Sequence, residues 1–308
     1  MSTIKYYDKE KKEVKNAGAA LDFVEKTGLT SIVQIPKLIK KTQRHAKIVL
    51  EYLLGLEALK LGPKMKRPDF LEKIGYAAEH LSRVTQIQVT NKGITYWLNC
   101  ESTLKDISLN TNLINQVFLG EGYCTPEEIK GKIVVDAGAN IGTFSIWAAK
   151  NGAKKIYSFE PVKSTVKMLK SNVACNKIQN KVKIIPLGLG DKVKEVQIKL
   201  VEEGHPSASI TLERKSNKTE KIKLTTIDNY FKSKKIDFLK IDVEGYEKEV
   251  LIGGKNVIAR NLPLIVFSAY HKPDDKVVLP KTIAKISNKY KTTLFTKGME
   301  EKFRSEVV

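Results

Sequence analysis

The chain has 308 residues, 42% of them hydrophobic, and a formal net charge of +20, which suits one large globular domain or two smaller ones. The start from Met1 to Lys15 is polar and charged and does not read as a signal peptide. The most apolar early run, Ile48 to Leu61, holds Glu51, Glu57 and Lys60 and is too short to span a bilayer. Cys100, Cys124 and Cys175 are scattered and odd in number, so neither a disulfide framework nor a cysteine metal site is expected, and a reducing cytoplasm fits.

In chain order, residues 17–61 read as helices, with Pro36 at the first position of one that runs to about Leu61. Lys37, Lys40, Lys41, Arg44 and Lys47 share one face of it, with Ile35, Ile39, Val49 and Leu53 roughly opposite. Gly62 to Pro68 is a basic break. Ile87 to Val89 and Ile94 to Leu98 read as paired strands around Asn91-Lys92-Gly93. A short helix over 111–119 leads to Gly120-Glu121-Gly122-Tyr123.

From Lys132 onward strands and helices alternate. Strands are expected at 132–136, 155–159, 182–186, 236–241 and 263–269, and helices at 142–151, 162–176 and 246–258. That alternation predicts an α/β fold with a doubly wound sheet. The stretch 195–224 reads as a hairpin with a loop over Glu202 to Ser209, which contains His205. The expected organisation is an N-terminal helical extension over 1–83 and one domain over 84–308, with a small β-hairpin at 84–100 and a core at 110–295.

The run Val134-Val135-Asp136-Ala137-Gly138-Ala139-Asn140-Ile141-Gly142 reads as a buried strand, a glycine turn and a helix start. Glu160 follows 24 residues after Asp136, behind the next strand, where an acid can accept both hydroxyls of a ribose. The third glycine of the dinucleotide fingerprint is absent: Thr143, Phe144 and Ser145 come next. Asp136 would repel a pyrophosphate at that helix N-terminus. It suits a nucleoside with a cationic amino-acid tail, so S-adenosyl-L-methionine (SAM) is placed ahead of NAD.

A second constellation is Lys240-Ile241-Asp242-Val243-Glu244-Gly245-Tyr246-Glu247, with Asp242 at the C-terminal end of a strand, facing the ligand crevice of an open sheet. Glu247 on its own is explained by the helix dipole. The next strand ends in Tyr270-His271-Lys272-Pro273-Asp274-Asp275, across the same crevice.

These motifs, in this order, resemble the FkbM family of SAM-dependent methyltransferases over about residues 110–295. The resemblance rests on Gly122-Tyr123, the Asp136 to Gly142 turn, Phe159-Glu160-Pro161, Leu187 to Asp191, Thr226-Ile227-Asp228, Lys240 to Gly245, and Tyr270-His271-Lys272 with Asp275. It implies a Rossmann-like seven-stranded fold and methyl transfer from SAM, usually to a hydroxyl, often on a sugar or glycosylated natural product. Carried over, Asp136, Gly138, Asn140 and Gly142 would line the methionine end and Glu160 would hold the ribose. Gly188 and Asp191 would lie near the adenine. Tyr123 would close over the cofactor, and Asp242 would border the methyl group and the acceptor.

Transfer from a sulfonium to a hydroxyl needs alignment and removal of a proton. His271 is the expected base, since an imidazole titrates near pH ~6.5. Asp242 would orient the acceptor or take the proton itself, with Glu244 and Lys240 holding acceptor hydroxyls. A divalent metal on Asp242, Glu244 and Asp275 lacks a dense acidic cluster, so none is assigned. No Asp/Asn-Pro-Pro-aromatic run follows Asp242, which argues against methylation of a base amine, and no cysteine stands at a strand end for attack on a pyrimidine.

Three functions remain open. The first is O-methylation of a carbohydrate or glycosylated small molecule. The second is RNA methylation, for instance at a ribose 2′-OH, with Asp242 and Lys272 in a lysine–acid constellation. The third is a non-catalytic SAM- or RNA-binding protein, which the intact Asp136, Glu160, Asp242 and His271 argue against. Residues 147–200 carry 12 lysines against Glu160, Asp191 and Glu195. That excess reads equally as a solvated surface or as a face for RNA, a phosphorylated sugar donor or an anionic membrane.

Overall fold

The computed structural model describes residues 3–7, 10–15, 86–91, 94–99, 122–200, 208–209, 219–297 and 300–308. The chain divides into two compact units, one made of Met1–Gly93 and Trp97–Ile114, the other of Ile94–Tyr96 and Asn115–Val308. The helices expected over 17–61 and 111–119, the lysine stripe and His205 lie outside the described residues.

Near the N-terminus β1 (Thr3–Tyr7) pairs antiparallel with β2 (Gln86–Asn91), and β3 (Ile94–Asn99) completes a three-stranded sheet in the order β1-β2-β3. The hairpin read around Asn91-Lys92-Gly93 corresponds to β2 and β3. Residues 3–7 are a strand, although they belong to the stretch expected to be helical. Thr3-Ile4-Lys5-Tyr6-Tyr7 is rich in β-branched and aromatic side chains, and β2 supplies a partner edge from far along the chain.

The larger unit opens with the short α1 (Pro126–Ile129). There follow β4 (Ile133–Ala137), α2 (Thr143–Lys150), β5 (Lys155–Phe159), α3 (Lys163–Cys175) and β6 (Val182–Ile185). A small sheet comes next, built from β7 (Gly188–Leu189), β8 (Lys194–Leu200), β9 (Ala208–Ser209) and β10 (Thr219–Thr225), in the order β7-β10-β8-β9. The antiparallel pairing of β8 with β10 is the hairpin expected over 195–224. The chain closes with α4 (Ile227–Phe231), β11 (Phe238–Ile241), α5 (Glu247–Gly253), α6 (Lys255–Asn261), β12 (Leu264–Ser268), α7 (Asp275–Ile286), β13 (Tyr290–Lys297) and β14 (Glu300–Val307). The single helix expected over 246–258 is two, which meet at Gly254.

The central sheet has seven strands in the order β13-β14-β12-β11-β4-β5-β6. Only β14 runs against its neighbours. Strand order reverses between β4 and β11, so a crevice is expected outside their C-terminal ends. The parallel strands are buried on both faces, as helices covering both sides require: Val135, Ala137, Phe159, Leu239, Ile241, Ile265 and Phe267 belong to one continuous core, and Val134, Phe238 and Val266, which point the other way, are fully buried too. α3 turns Val166, Leu169 and Val173 inward, at helical spacing. Thr226 starts α4 by accepting a hydrogen bond from Asn229 N at 2.9 Å. No described helix is long and apolar enough to cross a membrane.

Candidate active site

β4 delivers Asp136 and then turns sharply. Gly138 has φ +75°, and a Cβ there would lie 1.9 Å from the Asp242 carbonyl oxygen, so the turn of β4 touches the end of β11 only through a glycine. Gly138 N and Ala139 N donate to Phe159 O at 3.1 and 2.9 Å. Asn140, also at positive φ, donates its N–H to Glu160 Oε2 at 3.0 Å, and Val162 N donates to Oε1 at 2.9 Å. Gly142 caps α2. The turn and Glu160 are therefore one unit, laid on the ends of β4 and β5. Burial pushes Glu160 up to about 7, against its two backbone hydrogen bonds and the charge of Lys240.

Asp136 is fully buried. Its Oδ1 lies 3.0 Å from Lys240 Nζ, and its Oδ2 accepts from Ser145 Oγ at 2.6 Å. Ser145 spends its one proton there, so Ser158, 2.7 Å away, donates to it. The charge expected to meet a cofactor's cationic tail is thus already matched inside the protein. Lys240 also donates to Gly138 O at 2.8 Å, tying β11 to the glycine turn. Burial would lower the Lys240 ammonium, but Asp136, Asp242 and Glu160 raise it above the usual lysine value.

Asp242, one residue past β11, accepts from the Tyr123 hydroxyl at 2.7 Å. Burial acts to raise its carboxyl, and the charges of Lys240 and His271 with the Tyr123 hydrogen bond hold it below the usual range. Tyr123 packs edge-on against Phe144, with Lys240 Nζ 5.5 Å and Lys302 Nζ 4.8 Å from its ring centre.

Across the crevice His271 follows β12. Its Nε2 is 3.7 Å from Asp242 Oδ1 and 3.7 Å from Glu244 Oε2, and its Nδ1 is 2.9 Å from Glu247 Oε1. Burial alone would lower the imidazole, but the Glu247 hydrogen bond and the charges of Glu247, Asp242 and Glu244 push it up to about 9. A raised imidazole favours the protonated ring, a hydrogen-bond donor to these carboxylates. The Tyr270 ring lies 4.4 Å from the His271 ring and is 42% exposed.

Lys272 N donates to Asp275 Oδ2 at 2.7 Å, so Asp275 holds the start of α7. A Cβ at Gly188 would run into Leu224, and Asp191 pairs with Lys194 at 3.1 Å, so both positions have a packing explanation of their own. Two site residues escaped the sequence reading. The helix dipole explains an acid at Glu247 but not its partners: its Oε1 takes Val243 N at 3.0 Å as well as His271. Lys302 is buried on β14, and the charged run Glu300-Glu301-Lys302 carries no sequence signal for that burial.

Among curated proteins, the chain is 25% identical over 161 residues to "Methyltransferase 1" of Beauveria bassiana (strain ARSEF 2860), covering 45% of this chain and 64% of that one. It is 28% identical over 182 residues to "Methyltransferase sdnD" of Sordaria araneosa, covering 46% and 67%. The chain therefore spans about two thirds of the length of these relatives. Among solved structures, a methyltransferase FkbM from Methylobacillus flagellatus KT aligns with TM-score 0.46 and 18% identity, over 81% of this chain and 65% of that chain. The methyltransferase FkbM domain model matches residues 136–291, from the aspartate of the glycine turn to the second residue of β13 and about half of the chain, and the protein belongs to that family.

Proposed function

We propose that the protein transfers a methyl group from SAM to a hydroxyl, on a carbohydrate or a glycosylated small molecule. The observation that carries this reading is the single unit formed by the Gly138 turn, Glu160 and Asp242 at the strand-order reversal. Glu160 holds the turn with one lone pair of each oxygen and keeps others for a ribose. Asn140 and the turn backbone face the methionine end, with Asp136 acting through Lys240. Tyr123 and Asp242 border the methyl group. Gly188 and Asp191 lie toward the adenine.

In the reaction the acceptor oxygen attacks the methyl carbon in line with the sulfur. The O–C bond forms, the C–S bond breaks, and the sulfonium becomes the neutral thioether of S-adenosylhomocysteine. The hydroxyl proton passes to a carboxylate of the cluster, Asp242 or Glu244, both within 3.7 Å of His271. His271 and Lys240 balance the charge of these acids. Alignment of the three reacting atoms is worth on the order of 7–11 kcal/mol.

The test is calorimetric titration of the nucleic-acid-stripped chain with SAM, followed by transfer of labelled methyl to nucleotide sugars, glycosides and RNA at two salt concentrations. Saturable SAM binding with label in sugars supports the reading. Label in RNA that falls steeply with salt replaces the sugar with RNA, because phosphate contacts release counterions. No SAM binding sinks the methyl donor.

A further inference from the structure

The acids at the end of β11 form a denser group than their spacing along the chain implies. One oxygen of Asp242, one oxygen of Glu247 and one nitrogen of His271 lie within 4.8 Å of one another. Glu244 Oε2 stands 3.7 Å from the same imidazole. Three carboxylates thus surround one ring, while the Lys240 ammonium is directed to Asp136 at 3.0 Å and to Gly138 O at 2.8 Å.

Glu247 supplies an independent observation. It is 1% exposed, and its Oε1 takes Val243 N, Gly245 N and His271 Nδ1. Its Oε2 is buried and receives no hydrogen bond among the described residues. Buried carboxylate oxygens are ordinarily satisfied, since leaving one bare forfeits its solvation. A bound cation is the kind of group that would satisfy it. The backbone donors that fix Oε1 also hold the carboxylate in place, so the ligand arrangement is set before anything binds.

We propose that Asp242, Glu247 and His271 bind a divalent metal cation at the acceptor end of the crevice. Two carboxylates and an imidazole are a mixed oxygen–nitrogen set, suited to Mn²⁺ or Zn²⁺ and, with water ligands, to Mg²⁺. For its role in catalysis the inference rests on the methyl-transfer reading: a metal beside Asp242 polarises the acceptor hydroxyl and lowers its pKa, so that Glu244 can take the proton. Its role as a binding site does not depend on that reading.

The experiment is Mn²⁺ titration of the chelator-treated full chain, followed by the loss of the free-ion electron paramagnetic resonance signal, with Zn²⁺ competition. One bound Mn²⁺ per chain is expected, and Asp242→Asn and Glu247→Gln should each weaken it by about tenfold or more. Should either variant misfold by circular dichroism, the wild-type protein still decides. The chain has four histidines, and sub-stoichiometric Mn²⁺ should broaden the His271 ring signals first, identified by their loss in His271→Gln. Absence of Mn²⁺ and Zn²⁺ binding up to about 1 mM, equal broadening of all four histidines, or undiminished binding in folded Glu247→Gln overturns the site. SAM titration of the same samples separates the two proposals: metal without SAM leaves the site standing and sinks the donor, and SAM without metal does the reverse.

Discussion

Lys240 and Asp136 are register partners on adjacent parallel strands, and their charged groups meet at 3.0 Å with 5% and 0% of their side chains exposed. The pair lies under the glycine turn, which Lys240 also grips through Gly138 O. Lys240→Met leaves the Asp136 carboxylate buried with only Ser145 to answer it. Breaking such a pair costs about 3–5 kcal/mol, whereas removing both charges is far milder. Urea unfolding should therefore show a large loss for Lys240→Met and a partial recovery in Lys240→Met with Asp136→Asn. A Lys240→Met protein within about 1 kcal/mol of wild type would mean that the pair holds nothing together.

Gly138 and Gly131 share nearly the same φ, +75° and +74°, but only Gly138 has a neighbour in the way. A Cβ at Gly131 meets nothing within 4 Å, so Gly131→Ala carries backbone strain alone, about 1–2 kcal/mol. Gly138→Ala carries that strain and a collision with the Asp242 carbonyl, which forces the end of β11 to move. Thermal unfolding of the two variants side by side should place Gly138→Ala clearly lower. Equal midpoints would show that β11 yields to the methyl group at little cost.

The parallel half of the sheet was legible because buried strands are continuous apolar runs. Val134-Val135, Ile156 and Phe159, and Phe238 to Ile241 announce themselves, and the turns after them carry the glycine and the acids. β13 and β14 were implied only by the family resemblance. On β14, Arg304 and Glu306 are charged at alternate positions, as suits a sheet flank with one wet face. At the site, each strand-end residue could be located from its motif, but not its partners. Register pairs Asp136 with Lys240, and only the fold brings Glu247 to His271 from 24 residues away. Nor does an imidazole's ordinary pKa anticipate three carboxylates gathered around the His271 ring, which raise it.

Tyr123 offers its hydroxyl to Asp242 at 2.7 Å and its ring to two ammonium groups. Tyr123→Phe removes the first and keeps the second. A hydrogen bond to a charged group contributes about 1.5–3 kcal/mol, and the 23% exposure of the Asp242 side chain puts this one at the low end. Tyr123→Leu also loses both cation–π contacts, about 0.5–1 kcal/mol each where partly exposed. Unfolding free energies should step down from wild type to Phe to Leu. No step between wild type and Phe would mean that water replaces the hydroxyl without loss.

Glu160 makes both stability and ligand binding depend on pH, in opposite senses. Its folded pKa, about 7, is above its ordinary value of 4.5, so the folded state binds the extra proton between those values. The resulting stabilisation is fully present below about 4.5 and is lost as pH rises through about 7. A ribose needs the ionised carboxylate as acceptor, so SAM affinity should fall as pH drops from 8 to 6 (roughly one unit either side of that folded value). Glu160→Gln cannot titrate, and both dependences should flatten. Unfolding free energies and SAM affinities measured across this range in wild type and variant provide the check. A wild-type SAM affinity that is level from pH 8 to 6 would take Glu160 out of the cofactor site, whatever the stability profile shows.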